Sequence, residues 1–540
     1  MTIQLDASEV DRHAPRSQPP RAPTWAAPLS GLLSAAAAVC VGLFIAAIID
    51  VDSPLEAVGS EFIDHTPKWL KIRAIDWFDT NDKLALRVGM VVTIGIISLI
   101  VGTLARRWPV VGPIGITVFG VVGAIVAVGR PDGGRSSAVA PIVGAVIGAA
   151  LIWYLIALVR AGDGAPATPG LSRIPSGWDR RRFMTATGAV AGVAVFATVV
   201  ARRREADRIE QIQAAVPDSL PPVAAGDVLG GEVMSAAPPI PAAATLSPVT
   251  PFITPNNEFY LIDTALSLPR INLDSWKVQI GGRVDAPFSL SYNDLLARPQ
   301  VERVVTIACV SNEVGGNLIG NAVWQGVLLA DLLNEAGVQA DAQQVFSTSV
   351  DGWNCGFPIE VAMDGRDAMI AIGMNGQPLP PRHGFPARLI VPGVYGYVSA
   401  TKWLSKIELT TWDEAVGYWV PRGWSRDAPV KTQSRIDVPR RDDSVVAGPT
   451  PIAGIAWAQH RGIAKVEVRV DGGDWHEATL ATDVTNDTWR QWLYQWDATS
   501  GEHTIQVRAT DNDGQTQTEE VARPDPDGAT GWHTRTIQVA

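Results

Sequence analysis

Residues 374–409 read MNGQPLPPRHGFPARLIVPGVYGYVSATKWLSKIEL and combine a short apolar run with closely spaced basic residues. The run 387–393, ARLIVPG, predicts a buried strand that stops at its Pro-Gly pair. His383 and Arg388 stand just before this strand and near its start. Taken alone, the two basic residues could form a surface turn beside a strand or a site for an anionic group.

A second stretch, VVTIACVSNEVGG at 304–316, carries Cys309 from a strand-like run into a polar segment that contains glycine. Cys309 could be a small buried hydrophobe, half of a disulfide with Cys355, or a nucleophile that His383 activates. It could also be a thiolate ligand to a transition metal. No second Cys or His stands at metal-site spacing here, which disfavours a zinc or iron–sulfur site built by protein alone. A single thiolate is sufficient if an organic cofactor supplies the other ligands.

The composition indicates a multidomain chain with a membrane part. The length of 540 residues predicts about two to four domains. Hydrophobic residues make up 47% and charged residues 18% of the chain, and the mean hydropathy is +0.12. The net charge of −11 gives no reason to expect nucleic acid as a partner. Three cysteines are too few for a disulfide framework.

Five apolar stretches in the first two hundred residues are each close to the length of about 20 residues that a membrane-spanning helix needs. They cover 27–49, 84–105, 109–129, 138–159 and 183–201. The alternative is a set of buried core helices in a soluble protein, but five such runs in succession favour the membrane. The sequence therefore predicts a cytoplasmic tail at 1–26 and a five-helix region of the lipid bilayer at 27–204.

Basic residues next to the spans predict the orientation, because cytoplasmic loops carry an excess of Lys and Arg. The arginines that fall on one predicted side are Arg12, Arg16, Arg21, Arg106, Arg107, Arg160, Arg173, Arg180, Arg181 and Arg182. An odd number of spans then places everything after about 205 outside the cytoplasm of a multi-pass protein of the cytoplasmic membrane. The run 202–204, RRR, lies on the predicted outer side and disagrees with this pattern.

The fifth span offers an explanation for that disagreement. The sequence DRRRFMTATGAVAGVAVFATVVARRR at 179–204 resembles a twin-arginine export signal, with paired arginines before a moderate apolar run. That pathway exports folded proteins, which suits a domain that takes up a cofactor before export. The alternative is an ordinary membrane helix with a basic flank.

The remaining chain divides into three parts. Residues 205–250 are rich in Pro and Ala and predict a linker. Residues 251–425 mix short strands and brief helices, which predicts an α+β domain. In that part Ser291 is a candidate N-cap, and 323–337 predicts an amphipathic helix that ends at Gly337.

Residues 426–540 have an all-β pattern. Asp-Gly-Gly at 471–473 and Asn-Asp-Gly at 512–514 are hairpin signals between alternating segments. Short strands at close spacing predict an immunoglobulin-like sandwich. Its candidate core tryptophans are Trp475, Trp489, Trp492 and Trp496.

The order of these motifs resembles the sulfite oxidase family of molybdopterin-dependent oxidoreductases. IACVSNEVGGNLIGNAVWQGVLLADLLNEAG resembles the cysteine loop of the family and the helix after it, and 374–409 resembles its most distinctive segment. GYWVPRGW, KTQSRID, GIAKVEVRVDGGDW, TWRQW and VRATDNDGQTQ continue the pattern. The resemblance covers nearly all of 250–540 and identifies 426–540 with the family's dimerisation domain.

The resemblance implies a role for each matching residue. Cys309 would be the only protein ligand to molybdenum, with a pterin dithiolene and oxo groups completing the site. The residues implied in cofactor binding are Asn257, Phe259, Tyr260, Ser349, Asp351, His383, Arg388 and Lys402. Tyr418 would be the active-site tyrosine, and Arg422 a nearby contact for an anion.

Three positions depart from the family pattern. Where sulfite oxidases have an arginine and a histidine that bind sulfite and pterin, this chain has Ile262 and Thr264. An apolar side chain cannot bind a doubly charged oxyanion. Glu313 also stands where positive charge usually follows the cysteine loop. These departures disfavour sulfite as the substrate.

The predicted function is therefore oxygen-atom transfer on a small or S-oxide-type substrate at an extracytoplasmic molybdenum–molybdopterin site. None of the seven histidines lies in the five spans and the CxxCH motif is absent, so no haem is predicted. A separate electron-transfer protein or a quinone-linked partner is expected to exchange electrons with the site, and the resemblance implies a homodimer. The alternatives are a reductase of oxidised methionine or other S-oxides, a true sulfite oxidase, and a membrane-tethered binding module with a degenerate molybdopterin fold.

Overall fold

The structure is a computed structural model. It describes residues 21–78, 81–131, 133–166, 170–171, 177–224, 228–229 and 249–540. The chain divides into two compact units, Met1–Arg208 and Ile209–Ala540. The predicted tail at 1–26 lies largely outside the described residues.

The first unit is all helical. Its helices are α1 (Ala26–Ile49), α2 (Pro54–His65), α3 (Lys68–Phe78), α4 (Asp82–Arg107), α5 (Val111–Gly129), α6 (Val139–Gly162) and the start of α7 (Arg180–Ala215). Within the part of the chain that the structure describes, five helical segments are long and apolar enough to cross a membrane: Ala26–Ile49, Asp82–Arg107, Val111–Gly129, Arg135–Gly162 and Arg180–Ile212. Small residues let the backbones approach closely, since a Cβ atom on Gly31 of α1 would lie 2.0 Å from the Ser98 carbonyl oxygen of α4.

Two ion pairs show which helix ends lie together. At the end of α4, Arg106 binds Asp163 just after α6 and also donates to the carbonyl oxygens of Ala22 and Pro23 before α1. Arg130, just after α5, binds Asp64 in α2. Since α5 follows α4 after a short turn, these two pairs are separated by the length of α5, about 28 Å. Helices α4, α5 and α6 thus alternate in direction.

The second unit begins with two mixed sheets. One has the strand order β1-β4-β5-β8-β10, with β9 on β8, and the other has the order β3-β2-β11-β6-β7. Their strands are β1 (Val228–Leu229), β2 (Lys277–Gly282), β3 (Phe288–Ser291), β4 (Val301–Ala308), β5 (Ile319–Leu328), β6 (Gln344–Ser349), β7 (Asn354–Pro358), β8 (Met369–Met374), β9 (Gln377–Pro378), β10 (Arg388–Ile390) and β11 (Leu404–Thr410). The short helices are α8 (Tyr292–Ala297), α9 (Leu329–Ala336), α10 (Ile359–Met363) and α11 (Gly396–Ser399).

The local signals in this part are mostly confirmed. Ser291 caps α8 and accepts a hydrogen bond from the Asp294 amide. Gly337 ends α9 with a φ of 71°. The helix predicted over 323–337 starts only at Leu329, because the apolar residues before it pair with β8 as the end of β5.

The end of the chain forms two four-stranded sheets, with the orders β12-β13-β17-β16 and β15-β14-β18-β19. Their strands are β12 (Gln433–Val438), β13 (Gly448–Trp457), β14 (Ile463–Val470), β15 (His476–Glu477), β16 (Thr479–Leu480), β17 (Arg490–Ala498), β18 (Gly501–Asp511) and β19 (His533–Val539). The Asp-Gly-Gly turn joins β14 to β15 as predicted. Trp492 is in the core of these sheets, but Trp489 packs in the core of the preceding domain. Trp475 and Trp496 are only half-buried.

The predicted linker at 205–250 is structured at both ends. Helix α7 continues to Ala215, and apolar residues after it pack on the domain core. Gln325 donates to the Pro221 carbonyl oxygen at 2.7 Å, and the Thr250 amide donates to Asp437 at 3.1 Å. Residues 225–227 and 230–248 lie outside the described residues. The Pro/Ala composition gave no sign of these contacts because they involve main-chain groups and a few isolated apolar side chains.

Candidate functional site

Cys309 lies immediately after β4, where the strand enters a short closed loop. The Cys309 amide donates to the Leu318 carbonyl oxygen at 2.9 Å, and the Leu318 amide donates to Asn312 Oδ1 at 2.8 Å. These bonds hold the buried thiol at a fixed point at the end of the six-stranded sheet.

The disulfide alternative is wrong, because Cys309 and Cys355 are both free thiols. Cys355 Sγ lies 3.2 Å from Thr401 Oγ1 and 3.4 Å from Ser347 Oγ. Burial raises the pKa of Cys355 to about 11, so it remains a protonated thiol at neutral pH.

The charge state of Cys309 depends on its surroundings. Burial raises the pKa of its thiol, whereas hydrogen bonds from Ser311 and the positive charge of Lys402 act in the opposite direction. Among the described residues, no group of three or more His, Cys, Asp or Glu side chains could hold a metal ion. A metal at Cys309 therefore needs its other ligands from a cofactor, and its charge would favour the thiolate.

The ends of three strands, β6, β10 and β11, bring the remaining candidates together. The Leu389 amide of β10 donates to the Thr401 carbonyl oxygen at 2.9 Å, and the Val350 amide after β6 donates to the Trp403 carbonyl oxygen at 2.8 Å. Gly384 permits this approach, since its φ is 112° and a Cβ atom there would lie 3.1 Å from Lys402 Cα. The segments that contain His383, Arg388, Lys402 and Ser349 are thus neighbours.

His383 is a buried side chain with one unsatisfied ring nitrogen. Its Nε2 atom lies 2.8 Å from the Asn256 carbonyl oxygen, and its ring packs edge-on against Phe259 at 5.8 Å. Burial lowers the pKa of His383 to about 4, and the charges of Arg388 and Lys402 act in the same direction. The Nδ1 atom is buried and has no hydrogen-bond partner in the described part of the chain. It is available to a bound group.

Arg388 is a buried cation with a free donor. Its Nη1 group donates to the His383 carbonyl oxygen at 3.1 Å, and its guanidinium lies over the Trp324 ring at 5.0 Å. Burial lowers the pKa of Arg388 to about 10, which leaves it protonated at neutral pH. Its Nε atom is buried without a partner. A buried donor of this kind is costly unless a ligand accepts its hydrogen bond.

Lys402 and the segment 260–263 lie beside these residues. Lys402 Nζ binds Asp263 Oδ2 at 2.9 Å. Tyr260 stacks on Phe259 with ring centroids 5.3 Å apart. The pKa of Tyr260 is raised by burial and by the negative charge of Cys309. Segment 260–263 therefore extends from the neighbourhood of Cys309 to Lys402.

The loop after β6 supplies a further unsatisfied group. Ser349 Oγ is buried and has no partner. Asp351 is half-buried and accepts a hydrogen bond from the Trp353 amide at 3.1 Å. Asn354 Oδ1, which the sequence did not single out, is likewise buried and unpartnered.

Two further sequence candidates are Asn257 and Tyr418. Asn257 has an exposed side chain, and it is the main chain of Asn256 that contacts His383. Tyr418 lies under Arg422, whose guanidinium carbon is 3.6 Å from the ring centroid. The tyrosines whose pKa values respond to the charge of Cys309 are Tyr260 and Tyr395. Tyr395 was missed because a lone tyrosine after a Pro-Gly turn carries no chemical signal.

Known proteins resemble this part of the chain. Residues 265–419 match the oxidoreductase molybdopterin binding domain, and residues 434–507 match the bacterial Ig domain. The uncharacterized oxidoreductase YuiH of Bacillus subtilis is 35% identical over 153 residues, which cover 28% of this chain and 74% of YuiH. The chain belongs to the sulfite oxidase family of molybdopterin-binding oxidoreductases. The predicted immunoglobulin-like fold of the last domain is confirmed.

Longer matches within the sulfite oxidase family come from animal enzymes. Human mitochondrial sulfite oxidase is 29% identical over 320 residues, covering 50% of this chain and 58% of the human one. The chain thus spans less than two thirds of the length of that relative. Among solved structures, the sulfane dehydrogenase SoxCD from Paracoccus pantotrophus has 26% identity and a TM-score of 0.48, covering 54% of this chain and 82% of its own.

The residues fit the cofactor that the sulfite oxidase family uses. Three buried polar atoms of the predicted set have no hydrogen-bond partner among the described residues: Ser349 Oγ, His383 Nδ1 and Arg388 Nε. Pterins and phosphates carry many donors and acceptors, and such ligands would satisfy these atoms. The buried thiol of Cys309 is a soft ligand of the kind that would suit molybdenum.

Proposed function

We propose that this chain is a membrane-anchored molybdenum–molybdopterin oxidoreductase that transfers an oxygen atom on a small or S-oxide-type substrate outside the cytoplasm. The observation that carries the proposal is the combination of the buried Cys309 thiol with the unpartnered buried atoms of Ser349, His383 and Arg388. Without a ligand at this place, these unsatisfied groups would lower the stability of the fold.

Each residue has a distinct task in this proposal. Cys309 holds the metal, His383 accepts a hydrogen bond from the pterin through Nδ1, and Arg388 donates to the pterin or its phosphate. Lys402 adds a positive charge that Asp263 keeps in place. When bound, the cofactor would supply the metal at which an oxygen atom and two electrons are exchanged with substrate.

The exposed apolar residues next to Tyr260 support an uncharged substrate. Leu261 and Ile262 are each 41% exposed in the segment between Tyr260 and Asp263. An oxyanion in contact with these two side chains would lose water and gain no hydrogen bond from them. A neutral S-oxide has no such requirement, since its apolar groups can contact Leu261 and Ile262.

Sulfite is the second candidate, because relatives of this chain are named sulfite oxidases. Its oxidation would require another cation to take the place of the missing arginine. Arg422 lies near Tyr418 on the same domain and is the candidate for that role. In either reaction Tyr418 is proposed as the active-site tyrosine.

The apolar helices support a location in the cytoplasmic membrane. The arginine pattern supports a catalytic domain on the outer side, delivered by the twin-arginine-like segment. Electrons would pass to or from a separate electron-transfer protein or a quinone-linked partner, and the immunoglobulin-like domain would pair two subunits. A reporter fused after residue 540 tests the orientation: cytoplasmic activity of the fusion would contradict it.

The cofactor is tested by producing the protein in a host that makes molybdopterin and measuring molybdenum and pterin by mass spectrometry. We expect both in the wild-type protein, and we expect Cys309→Ser to lose activity by more than about a hundredfold. The matched control is Cys355→Ser, since that thiol is buried but is not placed as a ligand. Wild-type protein without metal would favour the binding-module alternative. A screen with sulfite, S-oxides and N-oxides then addresses the substrate.

A further inference from the structure

The immunoglobulin-like domain reaches the loop that follows Cys309. Arg435 of β12 donates from Nη1 to the Gly316 carbonyl oxygen at 2.8 Å. Gly316 itself lies within the closed loop, since its amide donates to the Glu313 carbonyl oxygen at 2.9 Å. The guanidinium of Arg435 thus connects the immunoglobulin-like domain directly to the loop that follows Cys309.

The other donor groups of Arg435 also make hydrogen bonds. Its Nε group donates to Asp437 at 2.7 Å, and Nη2 donates to Thr250 Oγ1 at 2.8 Å. Asp437 also accepts the Thr250 amide at 3.1 Å. Arg435 and Asp437 are both buried, so this ion pair is little screened by water. The three partners hold the guanidinium in one orientation.

His533 of β19 packs against the same loop. Gly315 has a φ of 79°, and a Cβ atom at this position would lie 2.4 Å from Cδ2 of the His533 ring. His533 is oriented by its Nδ1 atom, which accepts the Ile436 amide at 2.9 Å. The loop therefore fits against the immunoglobulin-like domain only because residue 315 has no side chain.

The strand before Cys309 is attached to the same domain. The Thr306 amide donates to the Asp487 carbonyl oxygen at 2.9 Å, and Thr306 Oγ1 accepts the Trp489 amide at 2.7 Å. Contacts from the immunoglobulin-like domain thus lie on both sides of Cys309 in the sequence.

We propose that Arg435 is a positioning residue for the metal ligand: through Gly316 it sets the position of the Cys309 sulfur. The immunoglobulin-like domain then has a task within its own subunit, in addition to the pairing of subunits. This inference rests on the proposed function as far as the metal is concerned, but the position of the thiol can be measured without metal. Groups that support a metal ligand from behind tune its geometry and affinity.

The first test measures the alkylation rate of Cys309 by iodoacetamide in the full chain, produced in a host that cannot make the cofactor. Peptide mass spectrometry follows Cys309 and, in the same sample, Cys355, which reports general loosening of the fold. We expect Arg435→Ala to accelerate alkylation of Cys309 by about tenfold or more relative to Cys355, and Arg435→Lys to accelerate it less. The matched control is Arg508→Ala, because Arg508 of β18 donates to Glu467 of β14 within the other sheet of the immunoglobulin-like domain.

The outcomes separate the two readings of Arg435. Equal rates in wild-type and Arg435 variants would overturn the proposal. Parallel acceleration of both thiols in the Ala and the Lys variant would also overturn it, because the arginine would then serve only general stability.

The second test uses the molybdenum-loaded protein. In Arg435→Lys and in Gly315→Ala, we expect the electron paramagnetic resonance signal of Mo(V) to shift while the molybdenum content stays near that of the wild type. Unchanged signals in both variants would contradict a positioning role. If the wild-type protein holds no molybdenum, the proposed function fails, and the alkylation test still decides the role of Arg435.

Discussion

The Nε2 atom of His383 lies 2.8 Å from the main-chain carbonyl oxygen of Asn256. A carbonyl oxygen only accepts hydrogen bonds, so Nε2 carries the proton. With a pKa of about 4 the ring is neutral at pH 7, and Nδ1 is left as an acceptor with an unused lone pair. The Asn256 carbonyl oxygen thereby fixes the tautomer of His383. At the site, His383 Nδ1 therefore accepts a hydrogen bond and cannot donate one.

The first prediction concerns this acceptor. His383→Gln can keep a donor toward Asn256 but loses the ring nitrogen, so we expect the pterin to be held about tenfold more weakly, the equivalent of one hydrogen bond of about 1.4 kcal/mol. The measurement is the pterin content per chain after dialysis. His503→Gln is the control, because His503 pairs with Asp471 in the immunoglobulin-like domain. Full pterin retention in His383→Gln would show that Nδ1 has no ligand.

The second prediction concerns the choice of substrate. Ile262→Arg places a cation at the exposed position beside Tyr260, and a hydrogen bond to a charged group contributes about 1.5–3 kcal/mol. We expect kcat/KM for sulfite to rise by about tenfold or more and that for a neutral S-oxide to fall or stay level. Leu261→Arg, at the equally exposed neighbouring position, serves as the control. An equal effect of both variants would mean that charge alone, and not position 262, determines the preference.

The third prediction concerns Tyr418. Tyr418→Phe removes only the hydroxyl group, so the ring still supports Arg422. If the hydroxyl transfers a proton or binds the reacting oxygen, kcat should fall by about a hundredfold, with unchanged molybdenum content. Tyr397→Phe is the comparison, because the Tyr397 hydroxyl donates to the Ser425 carbonyl oxygen. A normal kcat in this variant would show that the Tyr418 hydroxyl group takes no part in the reaction. Tyr260 and Tyr395 would then be the next candidates.

The fourth prediction concerns acid stability. Burial, together with Arg535 and Arg435, lowers the pKa of His533 to about 4, below the ordinary value of about 6.5 in the unfolded chain. Between these values the unfolded state binds a proton that the folded state does not, so stability falls as the pH is lowered from about 6.5 toward 4. At pH 5 the loss from this group approaches roughly 2 kcal/mol.

We expect His533→Asn to show a smaller loss of unfolding free energy between pH 7 and pH 5 than the wild type. Tryptophan fluorescence of the detergent-solubilised chain in urea measures it. Asn can accept the Ile436 amide as His533 does but does not titrate. Part of the loss should remain, because the pKa of His383 is also lowered to about 4. Identical pH dependence in the variant would show that protonation of His533 is not the cause.

The sequence resemblance named Cys309, His383, Arg388 and Lys402 as site candidates. The structure makes their segments neighbours. The capping of α8 by Ser291 and the end of α9 at Gly337 follow from local rules. These features depend on a few adjacent residues.

The missed features depend on main-chain groups and on distant contacts. The Asn256 carbonyl oxygen has the same chemistry in any residue, so no side chain marked its contact with His383. The helix predicted over 323–337 was too long because an apolar run also suits a strand, and only the pairing with β8 decides between them. The contact of Arg435 with Gly316 joins residues 119 positions apart.

The attachment of Thr306 to the Trp489 amide spans 183 residues of sequence. On the ribosome, β4 and Cys309 emerge well before the strands that fix them, and Arg435 and His533 follow later still. The thiol therefore reaches its final place only after the end of the chain has been synthesised and folded. If Arg435 positions the sulfur as proposed, the immunoglobulin-like domain has to fold before the loop of Cys309 reaches its final geometry.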